Sequence, residues 1–162
     1  MPMKPSARIL CLWLLPAALA AAAVPAEIDW LELLPPADLA AMQNAPPVDH
    51  NAPGPGPGFE FSDTVPAMDG KAGRIAGYIV PIETDAQGKL AEFFLVPYFG
   101  ACIHMPPPPP NQIVHVALPE PIEMTDIYAP YWVVGTVRIE HHDDELGSSA
   151  YAMTAAQVSP WE

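Results

Sequence analysis

The sequence predicts an all-β protein: a small, five-stranded, partly open barrel of the OB type, preceded by a short helical segment. Five apolar runs have the length of strands, and turn signals separate most of them. Glycines and prolines interrupt several of these runs. Short strands that bend at internal glycines suit a small barrel. A small β-sandwich is the alternative fold.

A short helical segment precedes the strands. Trp30 and Leu33 begin an amphipathic pattern, and Asp38 is expected to cap a helix over residues 39–43. Residues 46–58 are rich in proline and glycine, which favour neither a helix nor a strand ladder, so they are expected to be a linker. The predicted organisation is a signal peptide over residues 1–26, a short helix plus linker over residues 27–58, and a single β domain over residues 59–162.

The β domain contains the five predicted strands. Pro81 and Pro97 cannot donate to a ladder, so they mark edges or bulges. Gly77 and Gly135 lie inside strands and mark bends or bulges. The strands are expected over residues 74–83, 90–98, 113–118, 131–140 and 149–158.

The charge balance excludes two classes of partner. The 162 residues include 19 acidic and only 6 basic side chains, for a formal net charge of −13. Nucleic-acid binding needs patches of Lys and Arg, and so does electrostatic attachment to anionic lipid. With 51% hydrophobic residues, the chain is nevertheless too apolar to be wholly disordered.

The N-terminus has the pattern of a secretory signal peptide. Lys4 and Arg8 precede an uncharged apolar stretch that is short for a membrane span. Cleavage is expected after Ala26; cleavage after Ala23, or an uncleaved anchor, is the alternative. No direct membrane span is expected after cleavage. The mature chain then has 19 acidic against four basic residues, a formal charge of −15, and a single cysteine, Cys102.

A Cys-x-His segment is the main candidate site. In an extended strand, Cys102 and His104 would point to one face, with Cα atoms about 6.5–7 Å apart. His115, which enters the next strand, is the third candidate ligand. A thiolate with imidazoles favours Zn²⁺ or Cu⁺ over hard cations. Two other interpretations stay open: Cys102 and His104 simply pack, or the thiol is redox-active or nucleophilic.

Simpler structures are predicted for two other segments. The five prolines Pro106, Pro107, Pro108, Pro109 and Pro110 predict a polyproline II rod of about 15 Å. It is expected to strap the domain internally; docking on a partner is the alternative. The His-His-Asp-Asp-Glu run at residues 141–145 predicts a solvated acidic hairpin tip with its loop over residues 143–147; a divalent-cation site of imidazoles and carboxylates is the alternative.

Two runs of sequence carry a family resemblance. GYIVPIE, at residues 77–83, and FFLVPYFGACIHMPPPPPNQIVHV, at residues 93–116, resemble a family of small exported bacterial proteins classed as a domain of unknown function. The matching signature comprises Cys102, His104, the five prolines, Asn111 and Gln112. The resemblance implies export in a Gram-negative bacterium, with a periplasmic or membrane-associated location, and some members are associated with gene neighbourhoods for metal-responsive transport, zinc in particular. Many members resemble lipoproteins, whereas this chain has no lipobox.

The functional expectation is a non-enzymatic periplasmic accessory protein. It would bind zinc or copper through Cys102 and His104 with His115, or support a membrane transport complex. No catalytic residue and no other cofactor is predicted. The alternative is an interaction module in which the Cys-x-His-Met-polyproline segment packs or contacts a partner. An exported thiol redox protein is the third hypothesis.

Overall fold

One sheet accounts for all the strands in the computed structural model, which describes residues 24–44, 61–101, 108–124 and 126–161. The sheet closes into a barrel in the order β1-β2-β3-β5-β4, because β1 pairs with both β2 and β4. The predicted small all-β barrel is therefore confirmed, and it is closed rather than partly open. Its strands are β1 (Ala72–Thr84), β2 (Leu90–Val96), β3 (Val114–Ile122), β4 (Pro130–Asp144) and β5 (Gly147–Pro160).

Buried and less buried residues alternate along the strands, and this distinguishes the residues that face the barrel interior from those on its outer face. In β1, every second residue from Gly73 to Ile79 is buried, as expected for a strand with one face on a core. The interior core is aliphatic and aromatic. It includes Ile75, Ile79, Phe93, Leu95, Val114, Val116, Val133, Val137, Tyr151 and Met153.

Closure depends on one parallel ladder. Residues 114–117 of β3 pair in parallel with residues 151–154 of β5, whereas the other strand pairs of the barrel are antiparallel. The long β4–β5 hairpin supplies β5 for this contact. Its ladder runs from Tyr131 opposite Pro160 to Asp144 opposite Gly147.

Two strand glycines sit where the neighbouring backbone approaches closely. A Cβ atom on Gly77 would lie 2.7 Å from the Val96 carbonyl oxygen, and one on Gly135 would lie 2.5 Å from that of Thr154. The register of the β4–β5 ladder shifts between Val134 and Gly135. The register of the β1–β2 ladder also shifts after Pro81, where a bulge was predicted. Gly135 therefore permits close strand contact at an irregular point of the barrel, whereas Gly77 does so within the regular β1–β4 ladder, where a bend or bulge was expected and no register shift occurs.

The N-terminal segment packs onto the barrel core. It contains a 3₁₀ turn over Trp30–Leu33 and helix α1 over Pro36–Gln43, which begins earlier than the predicted helix. The helix starts there because Pro36 suits the first helical turn. Leu33 is fully buried, and its carbonyl accepts a 2.9 Å hydrogen bond from the Tyr151 hydroxyl. Burial raises the pKa of the Tyr151 phenol.

Residues on either side of the cleavage site predicted after Ala26 contact β1. The Ala26 carbonyl accepts a 2.8 Å hydrogen bond from the Arg74 amide, and the Ile28 amide donates to the Arg74 carbonyl at 2.9 Å. Cleavage after Ala23 would keep both bonds, whereas cleavage after Ala26 would remove the first. Residues 1–23 lie outside the described residues. Within the described ranges, no helix is long and apolar enough to cross a membrane.

We predict that Gly135→Ala destabilises the barrel, because the added Cβ would collide with the Thr154 carbonyl oxygen and the Met153 side chain. Overpacking of this kind costs about 1–3 kcal/mol. Urea unfolding should show a lower midpoint. Ala72→Ser, at an exposed position of the same β1–β4 pairing, is the matched control and should leave the midpoint unchanged. Equal midpoints for both variants would refute the close-contact interpretation.

Candidate functional site

The central part of the predicted metal site lies outside the described residues. This applies to Cys102, His104, Pro106 and Pro107. The chain that leads to it is well packed: Ala101 is fully buried in an outer apolar cluster with Phe94, Val96 and Ile113. On the far side, Pro108 and Pro109 are buried. Both described flanks of the Cys-x-His segment are thus anchored to the barrel.

The end of the proline run does not continue as a rod. Pro109 has φ −61° and ψ 155°, which is polyproline II geometry, but Pro110 begins a 3₁₀ turn over Pro110–Gln112. The predicted rod of five prolines is therefore wrong at its last residue. Proline is favoured at the first position of a helical turn because its missing N–H is not needed there.

Asn111 and Gln112 connect the barrel to the N-terminal part of the chain. Asn111 is fully buried, and its side-chain amide donates 2.9 Å bonds to the Asp38 carboxylate and to the Asp63 carbonyl. The Gln112 amide donates to the Trp30 carbonyl at 2.9 Å. Because these bonds join segments far apart in sequence, this half of the signature has a structural role.

His115 lies on the outer face of β3 with a carboxylate partner. It pairs across the ladder with Phe94 of β2 and with Ala152 of β5. Its side chain is 12% exposed, and Nε2 lies 3.0 Å from Oε2 of Glu92. Glu92 pairs with Ala117, so it is the diagonal neighbour of His115 on the same face.

A second imidazole covers the His115 ring. His142 of β4 stacks on it with the centroids 3.8 Å apart and an interplanar angle of 3°. The fully buried Phe94 ring meets both imidazoles edge-on, at 6.1 Å from His115 and 5.9 Å from His142. We call Glu92, Phe94, His115 and His142 the outer histidine cluster.

The hydrogen bond to Glu92 sets the tautomer of His115. An ionised carboxylate only accepts, so Nε2 carries the proton, and in the neutral ring Nδ1 then holds the lone pair. Since the two imidazoles are parallel, their in-plane lone pairs do not converge on one point. Accordingly, within the described part of the chain, no three His, Cys, Asp or Glu side chains are arranged to hold a metal ion.

His142 differs from its neighbours in the acidic hairpin. The tip was predicted to be solvated with its loop over residues 143–147, but the strands extend to Asp144 and resume at Gly147. His141 and Asp143 are exposed, as expected, and Nε2 of His141 lies 3.1 Å from Oδ2 of Asp143. A hydrogen bond from the Ser148 hydroxyl lowers the pKa of Asp143. The prediction is wrong for His142, which is half-buried in the stack.

An aromatic pocket is a second feature of the outer face. It has a volume of about 240 Å³ and an almost wholly apolar lining. Phe99 is 50% exposed and Tyr128 is 69% exposed, and their rings lie 5.4 Å apart. Tyr78 meets Phe99 edge-on at 5.9 Å. Sequence analysis missed this pocket, although two apolar pairs in loop segments, at residues 98–99 and 127–128, were a usable signal.

Comparison with known proteins identifies one family and one similar structure. The family model described as "Protein of unknown function (DUF3299)" matches residues 30–160. The crystal structure of a DUF3299 family protein from Pseudomonas aeruginosa PAO1, at 2.45 Å resolution, is 37% identical to this chain. That match has a TM-score of 0.66 and covers 86% of this chain and 98% of the other. No curated protein matches the chain.

We predict that Asn111→Ala destabilises the protein by about 1–3 kcal/mol, because it removes two hydrogen bonds that each contribute about 0.5–1.5 kcal/mol. The reason is that Asp38 and the Asp63 carbonyl would both lose a donor. Thermal or urea unfolding measures the effect. Asn44→Ala is the control, since Asn44 is exposed and bonds only within the helix end. Equal stability of the two variants would contradict a structural role for Asn111.

Proposed function

Since this chain belongs to the DUF3299 family, whose members have no assigned function, we propose a function from its own residues: an exported, non-enzymatic periplasmic protein that binds Zn²⁺ or Cu⁺. Cys102, His104 and His115 would hold the ion. The metal-bound protein would serve as an accessory to a metal-responsive transport system. That last part rests on the family resemblance alone.

The observation that carries the proposal is the Glu92–His115 pair. Histidines that bind metals usually donate their other ring N–H to a carboxylate or carbonyl, which fixes the tautomer and raises ligand basicity. Here Nε2 of His115 is held 3.0 Å from the Glu92 carboxylate, which leaves Nδ1 with its lone pair. His115 thus has the hydrogen-bonding arrangement expected of a metal ligand.

The chemistry of the remaining donors agrees with a soft metal. Cys102 would be the only cysteine after removal of the signal peptide, and an unpaired thiol in an oxidising compartment is protected when it binds a metal. Ala101, the residue before it, packs against Phe94, whose ring contacts His115. The last described residue before Cys102 therefore lies in the same apolar cluster as an aromatic neighbour of His115.

An interaction module is the second candidate function, and the aromatic pocket favours it. Pockets for small molecules usually enclose about 300–1,000 Å³, so the observed 240 Å³ suits a single side chain of a partner better than a free ligand. Exposed aromatic residues are typical energetic centres of protein interfaces. Phe99 and Tyr128 are exposed aromatic residues that line the pocket.

We predict that the chain, purified without chelators, retains about one equivalent of zinc or copper, measured by elemental analysis. Cys102→Ser should abolish retention because it removes the thiolate. Glu92→Gln should weaken metal affinity about 10–100-fold, which is the usual effect of removing the hydrogen-bond partner of a metal ligand.

His141→Ala is the matched control for these variants, because His141 is an exposed histidine next to the cluster whose side chain, among the described residues, bonds to Asp143. It should retain metal like the unmodified chain. A chain that carries no metal and takes up none from excess zinc or Cu⁺ would refute the proposal. A chain that binds normally with Cys102→Ser would also refute it.

We predict that the aromatic pocket contacts a protein in the periplasm. A photo-cross-linking residue in place of Tyr128 should give discrete adducts in cells, because this position is at the pocket. The same residue in place of Ile139, which is also exposed but away from the pocket lining, is the control and should give none. The same adduct pattern from both positions, or no adducts, would count against the interaction module.

A further inference from the structure

The His115 ring is held by side chains from two other strands. Glu92 of β2 binds Nε2, Phe94 of β2 touches the ring edge-on, and His142 of β4 lies parallel to its face at 3.8 Å. The first two contacts come from the neighbouring strand. The third comes from the β4–β5 hairpin, and nothing in the proposed ligand set requires it.

The stack removes a freedom that the Glu92 bond leaves. The outer side-chain torsion of histidine is broad, so a single hydrogen bond at Nε2 lets the ring turn about that contact. A parallel ring at 3.8 Å blocks this movement on one face. Phe94, which is fully buried, limits both imidazoles at their edges. The direction of Nδ1 is therefore set by His142 as well as by Glu92.

The same geometry argues against His142 as a ligand beside His115. The rings are parallel within 3°, so their ring nitrogens do not point toward a shared ion. The backbone also holds His142 in place, since it pairs with the fully buried Ser149 in the β4–β5 ladder. Stacking needs a flat ring at this position and does not need its nitrogens.

We infer that His142 is a positioning residue for His115: its ring, stacked on the His115 imidazole, keeps Nε2 on Glu92 and Nδ1 directed for metal binding. This inference deepens the proposed function and rests on it for its purpose. The contact itself exists without metal, so it can be tested separately.

The experiment compares the unmodified chain with His142→Phe, His142→Ala, the ligand variant His115→Ala and the control His141→Ala. In each metal-free protein, long-range ¹H–¹⁵N spectra of the histidine rings report the His115 tautomer. Affinity for zinc alone is then measured by competition with a chelating dye, and circular dichroism shows that each variant is folded.

We expect His142→Phe to retain the single Nε2–H tautomer of His115 and to bind zinc within about threefold of the unmodified chain, since a flat ring is kept. His142→Ala should give a mixture of the two His115 tautomers and weaken zinc binding by about tenfold or more. This is the range of affinity loss seen when a residue that supports a metal ligand is removed. His141→Ala should change neither measurement.

Two results would overturn the inference. One is a His142→Phe variant that loses zinc as completely as His115→Ala, because His142 would then be a ligand. The other is a His142→Ala variant with an unchanged His115 spectrum. If the unmodified chain binds no zinc, the proposed function loses its main support, and the spectra of the metal-free proteins alone decide the role of His142.

Discussion

The parallel ladder between β3 and β5 is the constraint on which the rest of the structure depends. Four residues of each strand pair there, from Val114 opposite Tyr151 to Ala117 opposite Thr154. The ladder closes the barrel and seals an apolar interior. It also places the far end of the β4–β5 hairpin beside the outer face of β3, which brings His142 onto His115. The stacked histidine pair on the barrel surface is thus a consequence of how the barrel closes.

Much of the fold could be predicted from local patterns. Apolar runs of strand length located all five strands, and Pro81 correctly marked a bulge. Closure could not be predicted, because it depends on which strand edges meet and in what register, and alternation does not encode this. The extension of β4 through its charged end was missed because acidic residues suggest a loop, whereas outward-facing positions of a hairpin tolerate them.

The candidate site also depends on contacts that local patterns do not contain. His115 was proposed as a ligand because it enters the strand after the proline run, but Glu92 and His142 were not connected with it. Both are neighbours only across strands: Glu92 is diagonal to His115 in the β2–β3 ladder, and His142 arrives from a hairpin more than 20 residues later. Such contacts depend on register. Asn111 and Gln112 were noted as part of a signature, yet their structural bonds to the N-terminal segment carry no local signal.

The proposed function depends on one claim, that Cys102, His104 and His115 bind the same soft metal ion. X-ray absorption at the zinc edge, on the full chain loaded with one equivalent of zinc, tests it most directly. The account predicts one sulfur neighbour at about 2.3 Å together with imidazole nitrogens at about 2.0–2.1 Å. A shell of oxygen and nitrogen atoms without sulfur would contradict it.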